Sequence, residues 1–176
     1  MSRDGARRDS AADEAVQAGE KPEDYVMRVT CQKVRVAWER VLARRGLRRM
    51  PVLAADTTVA LANEIFGKPA DRDDAIRMLT ALAGTQHRVL TAVAVALEER
   101  VETALSISLV TLSPISPERI RTYVDSGEPF DKAGGYAIQG RAAAFAERIE
   151  GSYTGVMGLP LYETARLLRE FGVAVP

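Results

Sequence analysis

The sequence has little with which to build a disulfide framework or a histidine-rich metal site. Its 176 residues include one cysteine, Cys31, and one histidine, His87. A lone cysteine has no partner for a disulfide or a thiolate metal site, and we expect Cys31 to pack as a small hydrophobe. His87 has no nearby cysteine or second histidine, so we expect a structural hydrogen bond rather than a zinc site or a Ser-His-Asp triad.

Net charge and long apolar runs are also missing. The 24 basic and 24 acidic side chains cancel, so no overall field attracts nucleic acid or a membrane surface. The longest uncharged apolar run, residues 89–97, is far shorter than the roughly 20 residues that cross a bilayer. The start has no apolar block of the signal-peptide type. We therefore predict a cytoplasmic protein that binds neither nucleic acid nor membrane.

The usual nucleotide-binding motifs are absent as well. No GxxxxGK[ST] phosphate loop occurs, and the pair Gly134-Gly135 does not form a dinucleotide fingerprint. Any nucleotide must therefore be bound by other means.

The length and a 47% hydrophobic content suit one compact domain. Residues 1–20 are rich in charge, Ala, Gly and Ser, which predicts a disordered or loop-like tail. Residues 21–176 are predicted to form a single domain. The predicted helices cover 22–46, a segment capped by Asp71 and ending at Gly84, 117–127 and 160–171. The predicted strands cover 52–55, 89–97 and 103–112, and residues 57–61 can continue extended as far as a turn at 62–64. This alternation predicts an α/β fold.

Several polar residues lie where a ligand could reach them. Asp56 follows the short apolar run 52–55, and a carboxylate at a strand end can hold a hard cation, act as a base or simply cap a turn. Lys68, between Gly67 and Pro69, suits a phosphate contact or a solvated loop. Gln139 suits a nucleobase edge or a loop hydrogen bond.

The segment 131–136 combines both charge signs with glycines. Asp131 and Lys132 stand directly before Ala133-Gly134-Gly135. Such a loop lets backbone approach a ligand closely, although a surface ion pair would explain the two charges equally well.

Together, these short motifs have the order and spacing of the Maf family, over a stretch from about Asp13 to the end. The sequence resembles that family, and its Asp-Lys-Ala-Gly and Ile-Gln-Gly motifs resemble the branch that acts on dTTP and UTP. The motifs are Ala55-Asp56-Thr57-Thr58-Val59, Gly67-Lys68-Pro69, Ala83-Gly84 with His87, Thr91-Ala92-Val93, Ser126-Gly127-Glu128-Pro129, Asp131-Lys132-Ala133-Gly134, Ile138-Gln139-Gly140, and Gly151-Ser152-Tyr153 with Gly158-Leu159-Pro160.

The resemblance implies an enzyme that hydrolyses dTTP and UTP to the monophosphate and pyrophosphate and so clears non-standard nucleotides. It also implies a mixed, twisted sheet with flanking helices and a nucleotide-binding cleft, a divalent cation (magnesium or manganese) and a homodimer. By resemblance, Asp56 is the general base, and we expect its side chain to share one hollow with Lys68, Lys132 and Gln139. The implied substrate-binding residues are Thr57, Gln139, Lys33, Lys68 and Lys132, and the implied metal-binding residues are Asp56, Glu128 and Asp131, with Glu20 as a further helper.

One family feature is not found. Members begin with a strand and a Ser-x-x-Arg loop that grips phosphate. Arg7-Arg8 stands too close to Asp13-Glu14 for the helix and strand that should intervene, so we do not transfer that role. We expect the first strand and helix to be absent, either through a misassigned start or through a real loss.

Two alternatives follow from these observations. A real loss would favour a catalytically impaired nucleotide-binding or regulatory protein. A pyrophosphatase for damaged purines is the other alternative, which the Gln139 motif disfavours.

Overall fold

A computed structural model describes residues 12–44, 46 and 48–175, and it confirms the α/β class. Three short 3₁₀ turns, Glu128–Asp131, Ala133–Gly135 and Arg141–Phe145, lie between the helix Pro117–Val124 and the strand Ala146–Glu150. The elements are α1 (Pro22–Leu42), β1 (Val52–Leu61), β2 (Glu64–Phe66), α2 (Arg72–Leu82), β3 (Gln86–Leu97), β4 (Arg100–Leu112), α3 (Pro117–Val124), β5 (Ala146–Glu150), α4 (Tyr153–Val156) and α5 (Leu161–Glu170).

The five strands form one sheet in the order β2-β1-β3-β4-β5. Every described pairing is antiparallel, where the resemblance implied a mixed sheet. Short connections account for two of the four pairings, because a hairpin turn can join only antiparallel strands. Residues 98–99 link β3 to β4, and residues 62–63 link β1 to β2. The antiparallel β3–β4 pair was predicted from the sequence and is confirmed.

Helices cover both faces of the sheet. Val26 and Val29 of α1 pack on Leu90 and Ala92 on one face. The other face meets α5, where Leu167 packs on Val93, and a larger cluster that includes α2 and α3. Since β3 is central and covered on both sides, its side chains are apolar on both faces. This accounts for the uncharged run 89–97.

Strand β1 joins the predicted strand 52–55 to residues 57–61, for which continued extension was expected. Asp56 lies in the middle of Val52–Leu61 and not at a strand end. The β-branched residues Thr57, Thr58 and Val59 favour continued extension, and a side-chain contact from α1 compensates the half-buried carboxylate of Asp56. The predicted strand end at Asp56 was therefore wrong, and the extension of residues 57–61 is confirmed.

Local signals at the helix ends were more reliable. Asp71 caps α2 through its side chain, as predicted, and Gly84 follows α2 with a φ of 69°. Helix α1 starts at Pro22 as predicted but ends at Leu42, before residue 46. The short edge strands β2 and β5 were not predicted.

Residues 12–20 contain neither helix nor strand, yet they are attached to α1. The guanidinium of Arg28 donates hydrogen bonds to the carbonyl oxygens of Asp13 and Ala15, each at 2.9 Å, and to the carboxylate of Glu20 at 2.6 Å. Residues 1–11 of the predicted tail lie outside the described residues. None of the described helices is long and apolar enough to cross a membrane.

Candidate active site

A cavity of about 360 Å³ lies beside the middle of β1. It brings together six of the residues predicted from the sequence, which come from α1, β1 and the two connections after β2 and α3. These six residues are Lys33, Asp56, Thr57, Lys68, Asp131 and Lys132.

Both faces of β1 contribute to the cavity. Successive side chains of a strand point to opposite faces, yet Asp56 and Thr57 both line it. Strand β2 pairs only with residues 59–61 of β1. Among the described residues, no strand therefore covers the outer edge of β1 at Asp56 and Thr57, and side chains from either face can reach the cavity there.

On the α1 face, Asp56 belongs to a small charged network. The ammonium of Lys33 lies 2.5 Å from a carboxylate oxygen of Asp56 and 2.8 Å from one of Glu14. The hydroxyl of Tyr25 donates to the carbonyl oxygen of Glu14 at 3.1 Å and so helps to hold residues 12–20 against this network. One cation therefore joins two carboxylates at the cavity wall.

Burial and ion pairing act in opposite directions on this network. Burial raises the pKa of Asp56 and outweighs the hydrogen bond from Lys33, which lowers it. Burial lowers the pKa of Lys33, but its hydrogen bonds to Asp56 and Glu14 raise it more. The hydrogen bond from Lys33 lowers the pKa of Glu14. The raised pKa gives Asp56 a greater affinity for a proton than an ordinary aspartate has, which suits a base.

Two loops place Lys68 and Lys132 on the same cavity. The backbone N–H of Gly134 donates to the carbonyl oxygen of Gly67 at 2.9 Å and ties the loops together. Gly134 has a φ of 70°, and a Cβ there would lie 2.9 Å from Val59. Only glycine allows this approach. The sequence suggested that these glycines leave room for a ligand, whereas in the structure Gly134 packs against the protein itself.

Asp131 and Lys132 form an ion pair at the rim of the cavity. Their charged atoms are 2.6 Å apart, and the Asp131 side chain is 75% exposed. The hydrogen bond from Lys132 lowers the pKa of Asp131. Such an exposed pair contributes little to stability, so both side chains remain available to a ligand.

Three other predicted residues do not line the cavity. Glu128 accepts hydrogen bonds from the Tyr123 hydroxyl at 2.9 Å and from the backbone N–H groups of Arg141 and Ala142. Glu20 is paired with Arg28. Gln139 is exposed, although its neighbour Ile138 lines the cavity.

Sequence reasoning missed the role of Glu14. Its place in a charged, apolar-poor segment led to the tail assignment, and only the fold shows that α1 brings Lys33 to it. Val156 and Met157, which lie between Gly155 and Gly158, were also missed as cavity residues. No periodicity marks them, since α4 has only four residues.

Oxygen donors for a cation are present, but they are few. The carboxylates that line the cavity are Glu14, Asp56 and Asp131, and no group of three His, Cys, Asp or Glu residues suited to a metal occurs in the described part of the chain. Magnesium commonly takes one or two carboxylates and completes its shell with water and substrate phosphates. The residues present fit that kind of site rather than an all-protein cage.

His87 lies outside the cavity and is buried in β3. Its Nε2 lies 2.7 Å from the hydroxyl of Tyr136, which confirms the structural hydrogen bond predicted for it. Burial lowers the pKa of His87 to about 4. The histidine is thus neutral at pH 7.

Comparison with known proteins agrees with these observations. Residues 5–171 match the family model described as Maf-like protein. A dTTP/UTP pyrophosphatase of Cupriavidus metallidurans is 58% identical over 168 residues, which cover 96% of this chain and 84% of that protein. Proteins of the same name from Albidiferax ferrireducens and Nitrosomonas europaea are 55% and 49% identical, over 97% and 99% of this chain and 84% of each relative. The chain belongs to the Maf-like protein family.

Proposed function

We propose that this protein hydrolyses dTTP and UTP to the nucleoside monophosphate and pyrophosphate. The relatives named above carry that activity in their names. The observation that carries the proposal is a half-buried aspartate with a raised pKa, Asp56, in a cavity that also holds Lys33, Lys68 and Lys132. A base beside several cations suits water attack on a polyphosphate.

In this mechanism Asp56 accepts a proton from the attacking water. The water oxygen forms a bond to phosphorus, the bridging bond between the α and β phosphates breaks, and pyrophosphate leaves with the electron pair. The lysines stabilise the negative charge that spreads over the phosphate oxygens. Lys33 has three N–H donors, and its contacts with Asp56 and Glu14 use two of them.

A divalent cation, magnesium or manganese, is part of the proposal. When bound, it would neutralise phosphate charge and polarise the reacting phosphorus. Asp56 and Asp131 are the proposed ligands among the residues predicted from the sequence. Glu128 is not one of the proposed ligands, because its carboxylate accepts hydrogen bonds from three N–H or O–H donors away from the cavity.

The nucleobase is proposed to occupy the other face of β1. Thr57, Val59 and Val89 line the cavity there, together with Val156 and Met157. Apolar surface with one hydroxyl suits a flat heterocycle better than a polyphosphate. Gln139 remains a proposed contact to the base edge, because it follows the cavity residue Ile138.

The test is pyrophosphate release from dTTP and UTP with magnesium or manganese, for the wild type and Asp56→Asn. Loss of a general base lowers the rate by a factor on the order of 100 to 10,000, and we expect a kcat decrease in that range. Asp125→Asn is the matched control, because Asp125 is exposed and pairs with Arg72 outside the cavity.

Equal kcat values for wild type and Asp56→Asn would remove Asp56 from its role. Calorimetric binding of dTTP without turnover would favour the catalytically silent alternative. Faster hydrolysis of a damaged purine triphosphate than of dTTP would favour the purine alternative. A cytoplasmic location and a homodimer also stay proposals that rest on the family resemblance, and sedimentation analysis measures the second.

A further inference from the structure

The Thr57 hydroxyl begins a series of hydrogen bonds on the apolar side of the cavity. Thr57 of β1 and Thr91 of β3 are direct cross-strand partners, and their hydroxyl oxygens are 2.9 Å apart. Thr91 is 1% exposed. Its hydroxyl also lies 2.7 Å from the carbonyl oxygen of Gly155. The chain of contacts therefore runs from the cavity to the backbone of α4.

The direction of each hydrogen bond follows from the chemistry of its ends. A carbonyl oxygen can only accept, so Thr91 donates its single hydroxyl proton to Gly155. Thr91 has no second proton to give, and Thr57 must therefore donate to Thr91. The Gly155 carbonyl is itself fixed, because it also accepts the N–H of Gly158 at 3.0 Å.

Thr57 is thereby left with acceptor capacity alone. Its proton points at Thr91, and the remaining lone pairs of its oxygen are available to the cavity. A free threonine hydroxyl rotates to donate or accept as its neighbour requires. Here the orientation is set before any ligand arrives, and any ligand atom that hydrogen-bonds to Thr57 has to be a donor.

We propose that Thr91 is a positioning residue that makes Thr57 an obligate acceptor and thereby selects uracil and thymine over cytosine. The inference rests on the proposed function and on the base lying at the Thr57 side. The ring N3 of uracil or thymine carries a proton, whereas N3 of cytosine carries a lone pair. A buried polar group that faces the wrong partner costs binding free energy, and this is how a hydrogen-bonding site rejects an analogue.

The experiment measures kcat/KM for UTP and CTP, which differ only at N3 and C4 of the base. CTP is also assayed as a competitor of UTP hydrolysis. In Thr91→Val the Thr57 hydroxyl can turn and donate to cytosine, so we expect the UTP-to-CTP preference to fall roughly tenfold or more. Thr91→Ser keeps the hydroxyl and should retain the wild-type preference.

A double mutant tests whether Thr91 acts through Thr57. If it does, Thr57→Val and Thr57→Val/Thr91→Val show the same UTP-to-CTP preference, because the group that Thr91 orients is already gone. Thr30→Val is a matched control. Thr30 is buried in α1, and its hydroxyl donates to the Val26 carbonyl at the same 2.7 Å, so this change should alter thermal stability and leave the preference unchanged.

An unaltered UTP-to-CTP preference in Thr91→Val would overturn the inference while UTP hydrolysis by the wild type upholds the proposed function. A further loss of preference from Thr91→Val in the Thr57→Val background would overturn it as well. A wild type that hydrolyses neither UTP nor dTTP would overturn the proposed function and this inference with it.

Discussion

Asp56 and Glu128 are both acidic residues for which the resemblance implied a role with a metal, yet the fold treats them differently. Asp56 is held by a lysine at the wall of a cavity. Glu128 is held by a tyrosine hydroxyl and two backbone N–H groups in the connection after α3. A carboxylate paired with one lysine keeps oxygen atoms available to a ligand, whereas a carboxylate surrounded by hydroxyl and backbone donors mainly stabilises the backbone. Substitutions near Asp56 should therefore cost activity, and those near Glu128 should cost stability.

After Asp56→Asn, the largest effect is expected from Lys33→Met. Without the cation, Asp56 and Glu14 face each other unpaired, and a charge that stabilises the transition state is lost. Removal of one such group typically costs a factor on the order of 100 to 1,000, and we expect kcat/KM for dTTP to fall by that much. Lys21→Met is the control, since Lys21 is exposed at the start of the same helix. An unchanged kcat/KM in Lys33→Met would contradict the distinction between Asp56 and Glu128.

The next effect concerns Gly134, which joins the two loops of the cavity. Gly134→Ala adds left-handed backbone strain and a contact with Val59, and together these should lower the free energy of unfolding by roughly 3 kcal/mol. Gly127→Ala separates the two causes, because Gly127 also has a positive φ but no atom within 4 Å of a Cβ built there. Its cost should be about 1 kcal/mol. Denaturant unfolding measures both, and equal losses would remove the Val59 contact from the explanation.

A pH dependence is expected from His87, whose ring hydrogen-bonds Tyr136 beneath the same loops. Its pKa is about 4 in the fold and 6.5 ordinarily. Between these values the unfolded chain binds a proton that the folded chain does not, so stability rises with pH from 4 to 6.5 and is lost on acidification. Acidification through this range should lower the free energy of unfolding by about 3 kcal/mol. Unfolding free energies of wild type and His87→Gln between pH 4 and 7 should converge at low pH, and parallel curves would contradict this.

The smallest effect is expected at Glu128. Glu128→Gln keeps one acceptor oxygen and removes the charge, so the hydrogen bonds from Tyr123 and the backbone weaken. The two side chains are nearly equal in size, so no empty space is created. We expect a loss of about 1 to 2 kcal/mol in unfolding free energy and an unchanged kcat. Thermal unfolding and pyrophosphate release measure these two quantities. A kcat decrease as large as that of Asp56→Asn would return Glu128 to the catalytic residues.

The family motifs predicted part of the site, and individual hydrogen-bond partners were not predicted. Asp56, Lys68, Lys132 and Gln139 were predicted to share a hollow. The first three do, whereas Gln139 is exposed and does not line the cavity. Glu128 accepts hydrogen bonds from backbone N–H groups thirteen and fourteen positions further along the chain, and no local sequence pattern predicts such contacts.

The same limit explains the remaining differences. Glu14 lies in a segment without periodicity, and its partner Lys33 is nineteen residues further along the chain, in α1. The unbroken course of β1 through Asp56 depended on a tertiary contact that makes a half-buried aspartate tolerable. Caps such as Asp71 were predictable, because the capping contact is local.

The most direct test compares Asp56→Asn with Glu128→Gln in one assay of magnesium-dependent pyrophosphate release from dTTP, with melting temperatures measured alongside. We expect Asp56→Asn to lose at least about 100-fold in kcat and to melt near the wild type. We expect Glu128→Gln to keep its kcat and to melt at a lower temperature. An active Asp56→Asn, or an inactive Glu128→Gln that melts like the wild type, would contradict the account.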